Sequence, residues 1–365
     1  MKAVIIGGGI AGLAAAIGLR KNGWEVVVKE RVPEFVEAGL GFIILPNGLG
    51  ALDELHAGDY VRTHGRKLTK AVMRTPDGFV YKEEDLLDSF GVKRSTCVDA
   101  LRNQLPPETI QTAKEFSHFL FDDEDKAVAA IFKNGEREYG DIFIAADGAR
   151  SIIRSQLFPK HRIRTSSVKE LVGIADSYPL LKELDSFLLK TQSETDSLSL
   201  GLLPCNERQV IWYMQFDGEA NQIDQYDEQS KRALVKKLIG NWPDPINYVL
   251  EHADFKNAFV WSTRDMELLP MFHHSNIVLT GDAAHLALPF TSQGTSSALT
   301  DGIELSGLLA SPPHDKDELE NIFLEYYERR RNILNEYLEF GRKLENGFLH
   351  PSTIRVQDIP VPLAK

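Results

Sequence analysis

The first thirty residues restrict the possible folds more than any other stretch of the chain. Lys2–Ile6 is a short apolar run typical of a buried strand, and the glycine-rich segment GGGIAG follows it directly. Leu13–Lys21 has the composition of a helix, and Trp24–Lys29 is a second strand-like run. A strand, a tight glycine turn, a helix and a second strand form a βαβ unit, so the pattern predicts an α/β fold with a parallel sheet.

The glycines of this unit fit a dinucleotide-binding turn. Gly7 permits the tight turn, Gly9 lets a pyrophosphate approach the backbone, and Gly12 lets helix and strand pack closely. Glu30 ends the second strand, where an acid can bind ribose hydroxyls. The glycine pattern alone is a weak signal, but with flanking strands and a placed acid it predicts nucleotide binding. We interpret Gly18, inside the helix, as a site of close packing on the sheet.

A second strand–loop–helix segment lies near the C-terminus. Ile277–Thr280 is a predicted buried strand that Gly281-Asp282 interrupts, and a loop with Pro289 and Gly294 leads into a predicted helix over Ser296–Ala310. An aspartate at a strand end can accept hydrogen bonds from sugar or ribityl hydroxyls, and a helix N-terminus stabilises an anion. Taken alone, the segment is equally typical of an ordinary strand–turn–helix with a surface aspartate.

Three stretches between these segments carry further candidate residues. The segment DIFIAADGARSIIR is a predicted strand that ends at Asp147-Gly148 and then opens a helix at Ser151. Arg94 begins another predicted helix, where it could meet a pyrophosphate or simply be a solvated arginine. Gly39 and Gly41 would let the backbone approach a flat ligand, or they belong to a plain loop.

From about Ser166 to Trp261 the glycine motifs stop and the sequence changes character. We interpret this region as a second, mostly β domain with a helical insert. Its predicted elements are strands over Leu198–Leu203, Val210–Phe216 and Ala258–Thr263 and a helical stretch over Asp224–Gly240. A predicted hairpin over residues 68–92, with a Pro76-Asp77-Gly78 turn, belongs to the same domain.

One strand of this domain carries four large side chains: Trp212, Tyr213, Met214 and Phe216. Side chains alternate between the two faces of a strand, so about half of them would face a pocket. They could also simply fill the core. Trp212 and Met214 are the substrate contacts that we predict.

Composition excludes several classes of protein. The 365-residue chain has a net charge of −12, which disfavours a nucleic-acid partner. Its two cysteines, Cys97 and Cys205, exclude a disulfide scaffold and make a cysteine metal site improbable; no metal is expected. No signal peptide or membrane-spanning run is recognised, so we expect a cytoplasmic protein that acts as a monomer or homodimer on a small molecule.

Together, in this order and at these spacings, the motifs resemble the p-hydroxybenzoate hydroxylase-like FAD-dependent monooxygenases, the single-component aromatic hydroxylases. The resemblance covers the nucleotide-binding region, whereas the middle region matches only in position and β character. It implies FAD as the cofactor, with the segment around Asp147, Arg150 and Arg154 serving both FAD and NAD(P)H. The residues that it assigns to FAD are Gly7, Gly9, Gly12, Glu30, Arg31, Gly41, Arg94, Asp147, Gly148, Gly281, Asp282, Pro289 and Gly294.

Two departures from the family pattern lie beside the expected flavin ring. The family usually has Gly-Gln-Gly after the proline, whereas this chain has Ser292-Gln293-Gly294. An asparagine that is usual in the next turn is Ser296 here. Both changes could alter flavin contacts. Pro289, Gln293 and Gly294 form the expected ring loop, and a structural role under the cofactor is favoured for His285 over acid–base chemistry.

The resemblance implies a monooxygenase in which NAD(P)H reduces FAD and O₂ forms a hydroperoxide at flavin C4a. One oxygen then passes to an electron-rich, aromatic or heteroaromatic small molecule. No catalytic side-chain acid or base is expected, because the cofactor carries the chemistry. Two alternatives stay open: a flavin-dependent reductase or cyclase of isoprenoid-type substrates on the same fold, and a non-catalytic flavin-binding protein. A flavin-dependent halogenase is disfavoured because the WxWxIP motif is absent.

The predicted fold class is α/β: a Rossmann-like FAD-binding domain with a second, mostly β substrate domain and C-terminal helices. The FAD-binding domain comprises residues 1–67, 93–165 and 268–348, and the substrate domain comprises residues 68–92 and 166–267. Residues 349–365 form a C-terminal tail. The run Asp317–Phe348 is predicted to be helical, and its basic YYERRR segment is interpreted as a solvated face.

Overall fold

The computed structural model describes residues 1–35, 41–176, 184, 186–223, 225–240 and 242–351. Gly39, Asp224 and most of the predicted tail lie outside the described residues. The strands, numbered in chain order, are β1 Lys2–Ile6, β2 Glu25–Lys29, β3 Gly41–Ile44, β4 Arg66–Arg74, β5 Val80–Lys93, β6 Ile110–Gln111, β7 Phe116–Phe121, β8 Ala127–Phe132, β9 Arg137–Tyr139, β10 Ile142–Ala145, β11 Ile163–Asp176, β12 Phe187–Gln192, β13 Leu198–Pro204, β14 Gln209–Asp217, β15 Phe259–Met266, β16 His273–His274 and β17 Ile277–Leu279.

The helices of the described residues are α1 Ile10–Lys21, α2 Pro46–Glu54, α3 Gly58–His64, α4 Arg94–Arg102, α5 Ile152–Leu157, α6 Glu228–Ile239, α7 Ile246–Glu251, α8 Asp282–His285, α9 Gly294–Leu308 and α10 Lys316–Leu349. Short 3₁₀ turns cover Pro107–Thr109 and Pro289–Thr291. The α/β fold class predicted from the sequence is confirmed.

The first sheet is a parallel sheet with one antiparallel edge. Its strand order in the described residues is β16-β17-β10-β1-β2-β6, and only the β16–β17 pair is antiparallel. Its strands are short apolar runs such as KAVII and IFIA, buried because helices and further chain cover the sheet. The predicted βαβ unit at the N-terminus is confirmed, as β1 and β2 pair in parallel on either side of α1.

Helix α1 packs across α9, and this contact explains a glycine within α1. A Cβ on Gly18 would lie 2.0 Å from Ser306 Oγ, and one on Gly302 would lie 2.6 Å from Ala14 Cβ. Small residues on both helices therefore let their backbones approach closely. The interpretation that Gly18 packs on the sheet is wrong, because its neighbour is a helix that lies far away in sequence.

The second sheet contains most of the middle region and is largely antiparallel. Its order in the described residues is β15-β11-β14-β13-β12-β4-β5-β3, with only β12–β4 parallel. The predicted β4–β5 hairpin is confirmed, but β5 continues to Lys93 and leads directly into α4. Three strands of this sheet, β3, β11 and β12, were not predicted. A small antiparallel sheet, β7-β8-β9, completes the described strands.

The two faces of the eight-stranded sheet have different neighbours. One face packs with α6 and α7 in an apolar cluster that includes Trp212, Met214, Leu234 and Val249. On the opposite face, Tyr213, Ile211 and Leu203 belong to a cluster with Ile43 and Leu45. At one end of that opposite face, a further cluster joins Val168 to Leu288 and Phe290. Alternation along β14 therefore separates Tyr213 from Trp212 and Met214.

A single helix, α10, closes the described chain. Its 34 residues begin after Asp315, whose side chain accepts a hydrogen bond from the Glu318 backbone N–H. The buried Asp265 of β15 accepts hydrogen bonds from Arg342 on α10 and from Arg164 on β11. This ion-pair group holds α10 against the second sheet. No helix of the described residues is both long and apolar enough to cross a membrane.

Candidate functional site

Four predicted motif loops meet at one edge of the parallel sheet. Strands β17, β10, β1 and β2 are consecutive neighbours, and their last residues are in register: Ile6 pairs with Ala145 and with Lys29, and Ala145 pairs with Leu279. The residue that follows each strand therefore lies at the same level. Ligands of open α/β sheets bind beyond the carboxyl ends of the strands. The topology thus brings together motifs that are far apart in the sequence.

The glycine turn after β1 has no room for larger residues at two positions. Gly7 has a φ of +113°, and a Cβ there would lie 2.1 Å from Ala146 O. A Cβ on Gly12 would lie 2.0 Å from Gly7 O. Gly9 differs, because Arg94 Nη2, at 3.6 Å, is the only atom of the described residues within 4 Å of its Cβ position. The space beside Gly9, at the N-terminus of α1, is therefore open for a ligand.

Glu30 is held against this turn by the backbone. Its Oε2 accepts a hydrogen bond from Gly8 N at 2.7 Å, and its Oε1 accepts one from Val32 N at 3.0 Å. A carboxylate has about four acceptor positions, so Glu30 retains capacity for hydroxyl groups. Arg31, the next residue, is exposed. Binding of FAD by either side chain stays a prediction.

Arg94 lies where β5 passes into α4, and its guanidinium faces the glycine turn. The side chain is exposed, and it has no hydrogen-bond or ion-pair partner within the part of the chain that the structure describes. A free guanidinium 3.6 Å from the open position at Gly9 is suited to a phosphate. The long strand β5 explains its placement, because that strand ends directly before it.

Asp147 follows β10 and has one oxygen without a partner. Its Oδ2 accepts hydrogen bonds from the backbone N–H groups of Ile152 and Ile153 at 2.8 and 3.2 Å. Its Oδ1 is buried and unpaired among the described residues, and burial raises the pKa of this carboxyl. Gly148 follows with a φ of +79°, and no atom of the residues that the structure describes lies within 4 Å of its Cβ position. An unpaired buried acceptor beside open space marks a place for a hydrogen-bond donor.

Arg154 joins the loops after β10 and β17. This buried side chain donates to the carbonyl oxygens of Asp282 and Ala283, both at 2.9 Å, and to Ala149 O at 2.8 Å. Its charge is satisfied by backbone carbonyls rather than by a carboxylate. In this structure, Arg154 therefore fixes the relative position of two motif loops. Arg150, also matched to the family pattern, is exposed.

Asp282 begins α8 beyond the end of β17. Gly281 before it has a φ of +59°, which favours glycine. The Asp282 carboxylate accepts no hydrogen bond from the described residues. It reaches solvent in a pocket that Gln293 and Gly294 also line. This carboxylate is available to hydroxyl donors of a ligand.

A buried charged network lies beneath Gly281-Asp282. Asp301 on α9 is fully buried, and its Oδ2 accepts from Gly281 N at 2.8 Å and from His285 Nε2 at 2.5 Å. Its Oδ1 accepts from Arg330 Nε at 2.7 Å. Burial would raise the pKa of Asp301, but the neighbouring His285 and Arg330 side chains hold it far below its usual value. The network positions the loop, and it gives His285 a structural partner.

Sequence reasoning missed both Asp301 and Arg330. Arg330 belongs to the YYERRR run, which was interpreted as a solvated face, but its side chain is only 6% exposed. The interpretation is wrong for this residue, because α10 turns it inward against α9. One available signal was the acid in ALTDGIEL, an otherwise small and apolar helical segment.

The predicted ring loop is braced by the first turn of α2. Gln293 is buried, and its Oε1 accepts a hydrogen bond from Asn47 Nδ2 at 2.9 Å. Pro289 begins the 3₁₀ turn of this loop, and Gly294 begins α9. Within the described part of the chain, nothing lies within 4 Å of the Cβ position of Gly294. The ring loop therefore contacts the segment that follows β3. The resemblance implied that both lie near the flavin.

The two departures from the family pattern have visible consequences. Ser292 adopts a φ of +54°, a left-handed conformation that is more favourable for glycine. The Ser296 Oγ is buried and has no hydrogen-bond partner among the described residues. A Cβ on Gly48 of α2 would lie 2.6 Å from that oxygen, so α2 passes close to this position. The space there is small, which suits serine better than asparagine.

Three other predicted site residues have packing roles. A Cβ on Gly41 would lie 2.1 Å from Ile211 Cδ1, so this glycine makes room for a side chain of the second sheet. Trp212 and Met214 are both fully buried on the face covered by α6 and α7. Both side chains therefore pack within the apolar cluster on that face, where Trp212 Nε1 has no hydrogen-bond partner among the described residues.

The residues at the sheet edge fit FAD. The open N-terminus of α1 and the guanidinium of Arg94 suit a pyrophosphate, and Glu30 suits a ribose. The carboxylate of Asp282 and the unpaired Asp147 Oδ1 supply acceptors for hydroxyls. The N-terminus of α9 adds a positive end to the ring loop.

Such an edge defines a flavoprotein of the oxidoreductase class. The family model described as FAD binding domain matches residues 1–340 of the chain. The protein therefore belongs to this family, that of FAD-dependent, aromatic hydroxylase-like monooxygenases, and the resemblance drawn from its motifs is confirmed.

Similar proteins agree with this assignment. Monooxygenase 1 of Arabidopsis thaliana is 28% identical over 350 residues, which cover 90% of this chain and 86% of that protein. A probable 2-heptyl-3-hydroxy-4(1H)-quinolone synthase of Rhodococcus erythropolis is 28% identical over 318 residues, 85% of this chain and 79% of that protein. The structure of Klebsiella pneumoniae HpxO complexed with FAD and uric acid superposes with a TM-score of 0.84 at 21% identity, covering 95% of this chain and 89% of that chain. The last likeness shows a shared fold.

Proposed function

We propose that this protein is a monooxygenase that uses NAD(P)H and O₂ to hydroxylate an electron-rich aromatic or heteroaromatic small molecule. The observation that carries the proposal is the convergence of four motif loops at the carboxyl edge of β17, β10, β1 and β2. The relatives support the ring chemistry, since their names include a quinolone synthase and a protein crystallised with uric acid. Bound FAD would supply the hydride and oxygen chemistry.

In this proposal the side chains at the edge bind and orient rather than react. Arg94 and the N-terminus of α1 hold the pyrophosphate, Glu30 holds the ribose, and Asp282 holds the ribityl hydroxyls. Pro289, Gln293 and Gly294 form the wall beside the flavin ring. The positive end of α9 stabilises negative charge on the reduced ring.

The second sheet is proposed to carry the substrate. The eight-stranded sheet would be the core of the substrate domain, and the FAD-binding and substrate domains would divide as the sequence suggested except at β3, which lies within residues 1–67 but belongs to this sheet. Its face toward Leu45 and Phe290 is the better candidate for substrate contact, because the opposite face is filled by α6 and α7. Tyr213 therefore replaces Trp212 and Met214 as the proposed contact on β14.

The test is anaerobic reduction of the bound flavin by NADH and by NADPH, with and without a panel of phenols and heteroaromatics. Bleaching of the flavin that one ring compound accelerates supports the proposal, as does a hydroxylated product after O₂ is admitted. Failure of both nucleotides with every compound would contradict it, and would favour a reductase, a cyclase or a flavoprotein that another protein reduces.

A matched pair of glycine variants tests the pyrophosphate assignment. Gly9→Val places a side chain in the open space beside Arg94, so the variant should fold and purify without flavin colour. Gly50→Val is the control, since no atom of the described chain lies within 4 Å of a Cβ on that glycine of α2, and its flavin content should be normal. A yellow Gly9→Val protein would contradict the assignment. A colourless wild type that takes up no FAD would contradict the function as a whole.

A further inference from the structure

A row of polar side chains lies on the face of the second sheet that α6 and α7 do not cover. Glu170 on β11 pairs across strands with Gln215 on β14, which pairs with Ser199 on β13. Glu170 and Gln215 are both buried. Lys190 on β12 joins the row, with its Nζ 3.4 Å from Gln215 Oε1. Buried polar groups of this kind are expensive unless they have partners.

This polar row is flanked by the two loops of the proposed ring site. On one side, Val168 belongs to the apolar cluster that contains Phe290 of the ring loop. On the other side, Tyr213 belongs to the cluster that contains Leu45, at the start of α2. The two loops are joined by the side-chain hydrogen bond between Asn47 and Gln293. The row therefore faces the place where these loops meet.

Within the row, the carboxylate is satisfied and the ammonium is not. Glu170 accepts from Trp261 Nε1 at 2.7 Å and from Gln215 Nε2 at 3.1 Å. Lys190 has three donors, and the long contact to a neutral amide oxygen is its only hydrogen bond in the described chain. Burial lowers the pKa of Lys190 to about 8, opposed by the charge of Glu170. A desolvated cation with unused donors is best satisfied by an anion.

Tyr213 extends toward the same lysine. A Cβ on Gly201 would lie 2.0 Å from Tyr213 Cζ and 2.4 Å from its hydroxyl oxygen, so the end of the ring lies over Gly201. Gly201 is paired with Lys190 on the next strand, roughly 5 Å away. The Tyr213 hydroxyl has no hydrogen-bond partner among the described residues, and its side chain is partly exposed. Two unused donor groups therefore adjoin each other on one face.

We propose that Lys190, with the Tyr213 hydroxyl beside it, binds an anionic oxygen on the ring of the substrate. The inference deepens the proposed function and rests on it, because it names the class of substrate as ring compounds that carry a carboxylate or an ionised hydroxyl. Lys190 sets specificity in this arrangement by holding the anion toward the sheet. Trp212 and Met214, on the other face, take no part.

Binding of matched ring compounds to the FAD-loaded protein tests this inference. One pair is benzoate and benzamide, and the other is 4-nitrophenolate and 4-nitroanisole, so the two pairs distinguish a carboxylate from a ring hydroxyl. Affinities are measured by calorimetry for wild type, Lys190→Met and Lys190→Arg. Lys70→Met is the matched control, since Lys70 lies on the same sheet, on β4, and pairs with Glu83.

The wild type should prefer at least one anion over its neutral partner. Lys190→Met should weaken binding of that anion by about tenfold to a hundredfold, the effect of one charged hydrogen bond, and leave the neutral partner nearly unchanged. Lys190→Arg should restore most of the loss, and Lys70→Met should behave as wild type. Absence of a preference in the wild type, or a preference that survives in Lys190→Met, would overturn the inference.

These outcomes separate the inference from the proposed function. If NAD(P)H reduces the flavin and neutral rings accelerate the reduction as well as anions do, the function stands and the role of Lys190 is wrong. If the anion preference depends on Lys190 but neither nucleotide reduces the flavin, the binding site stands and the monooxygenase proposal is wrong. Melting temperatures of all variants confirm that each is folded.

Discussion

The cofactor edge of the parallel sheet and the polar face of the second sheet would recognise their proposed ligands by different means. At the edge, short loops and glycines shape the site, and Gly7 and Gly12 are fixed by backbone atoms 2.0–2.1 Å from their Cβ positions. On the face, side chains from β11, β12 and β14 form the site, and glycine only makes room for Tyr213. The first suits a cofactor that is constant across a family. The second can change substrate by single substitutions that leave the backbone intact.

The largest effect is expected from the charged network that supports the cofactor edge. Asp301→Ala leaves Arg330 buried without its carboxylate, which should lower the free energy of unfolding by about 3–5 kcal/mol. Chemical denaturation measures the loss. Asp301→Leu combined with Arg330→Met should recover much of it, because no unpaired charge then remains. A loss under about 1 kcal/mol would show that the network does not hold the loop.

The same network predicts how the stability of the protein changes at acidic pH. The pKa of Asp301 is lowered in the folded state by His285 and Arg330, so its stabilising contribution is present above the ordinary carboxyl pKa and is lost as pH falls through the lowered value. Wild type should therefore lose stability on acidification below about pH 4, whereas Asp301→Ala lacks this contribution. Parallel pH curves for the two proteins would contradict the assignment.

The next effect distinguishes the two faces of β14. Met214→Ala removes a fully buried side chain and should cost about 2–5 kcal/mol of stability without changing the preference for anionic rings. Tyr213→Phe should cost less than about 1 kcal/mol and weaken anion binding. Denaturation and calorimetry on both variants measure this. A changed anion preference in Met214→Ala would return the substrate to the face that α6 and α7 cover.

The part of the cofactor edge that could be predicted from the sequence consists of local motifs. The turns at Gly7, Asp147 and Gly281 follow short apolar strands, so each could be recognised from a few adjacent residues. The strand order β17-β10-β1-β2 makes the three turns neighbours, and this order cannot be read from adjacent residues. The resemblance to a family supplied that information.

Long-range pairing explains what was missed. Strand β11 begins with a mostly polar half, IRTSSVKE, and its apolar run LVGIA follows only in the second half, so the sequence reading did not recognise the strand. Glu170 of this strand has its hydrogen-bond partner Gln215 45 residues away. Arg330 and Asp301 are 29 residues apart on different helices. Alternation predicted that half of the side chains on β14 face a pocket, but only the position of α6 and α7 identifies which half.

A third effect concerns cofactor affinity. Asp282→Ala removes the exposed carboxylate without disturbing the carbonyl that Arg154 binds, so the fold should survive. FAD affinity should fall by about tenfold to a hundredfold, measured by equilibrium dialysis. Asp123→Ala, in the exposed turn between β7 and β8, is the control and should bind FAD normally. Normal affinity in Asp282→Ala would remove that residue from the proposed site.

The smallest expected effect is a pH dependence of anion binding at the polar face, which FAD binding at the cofactor edge should not share. The pKa of Lys190 is lowered to about 8, so its ammonium is charged below that value and becomes neutral as pH rises through it. Benzoate stays ionised throughout this range, and its affinity should therefore fall about tenfold from about pH 7 to about pH 9, while FAD content stays constant.

Glu170 and Tyr213 are the titratable groups that face Lys190, and burial raises the pKa of both. Glu170→Gln removes one titratable group, and the decline in affinity should persist in this variant. Lys190→Arg should abolish the decline, because arginine stays charged. A flat or rising affinity in the wild type would show that the charge of Lys190 does not hold the anion.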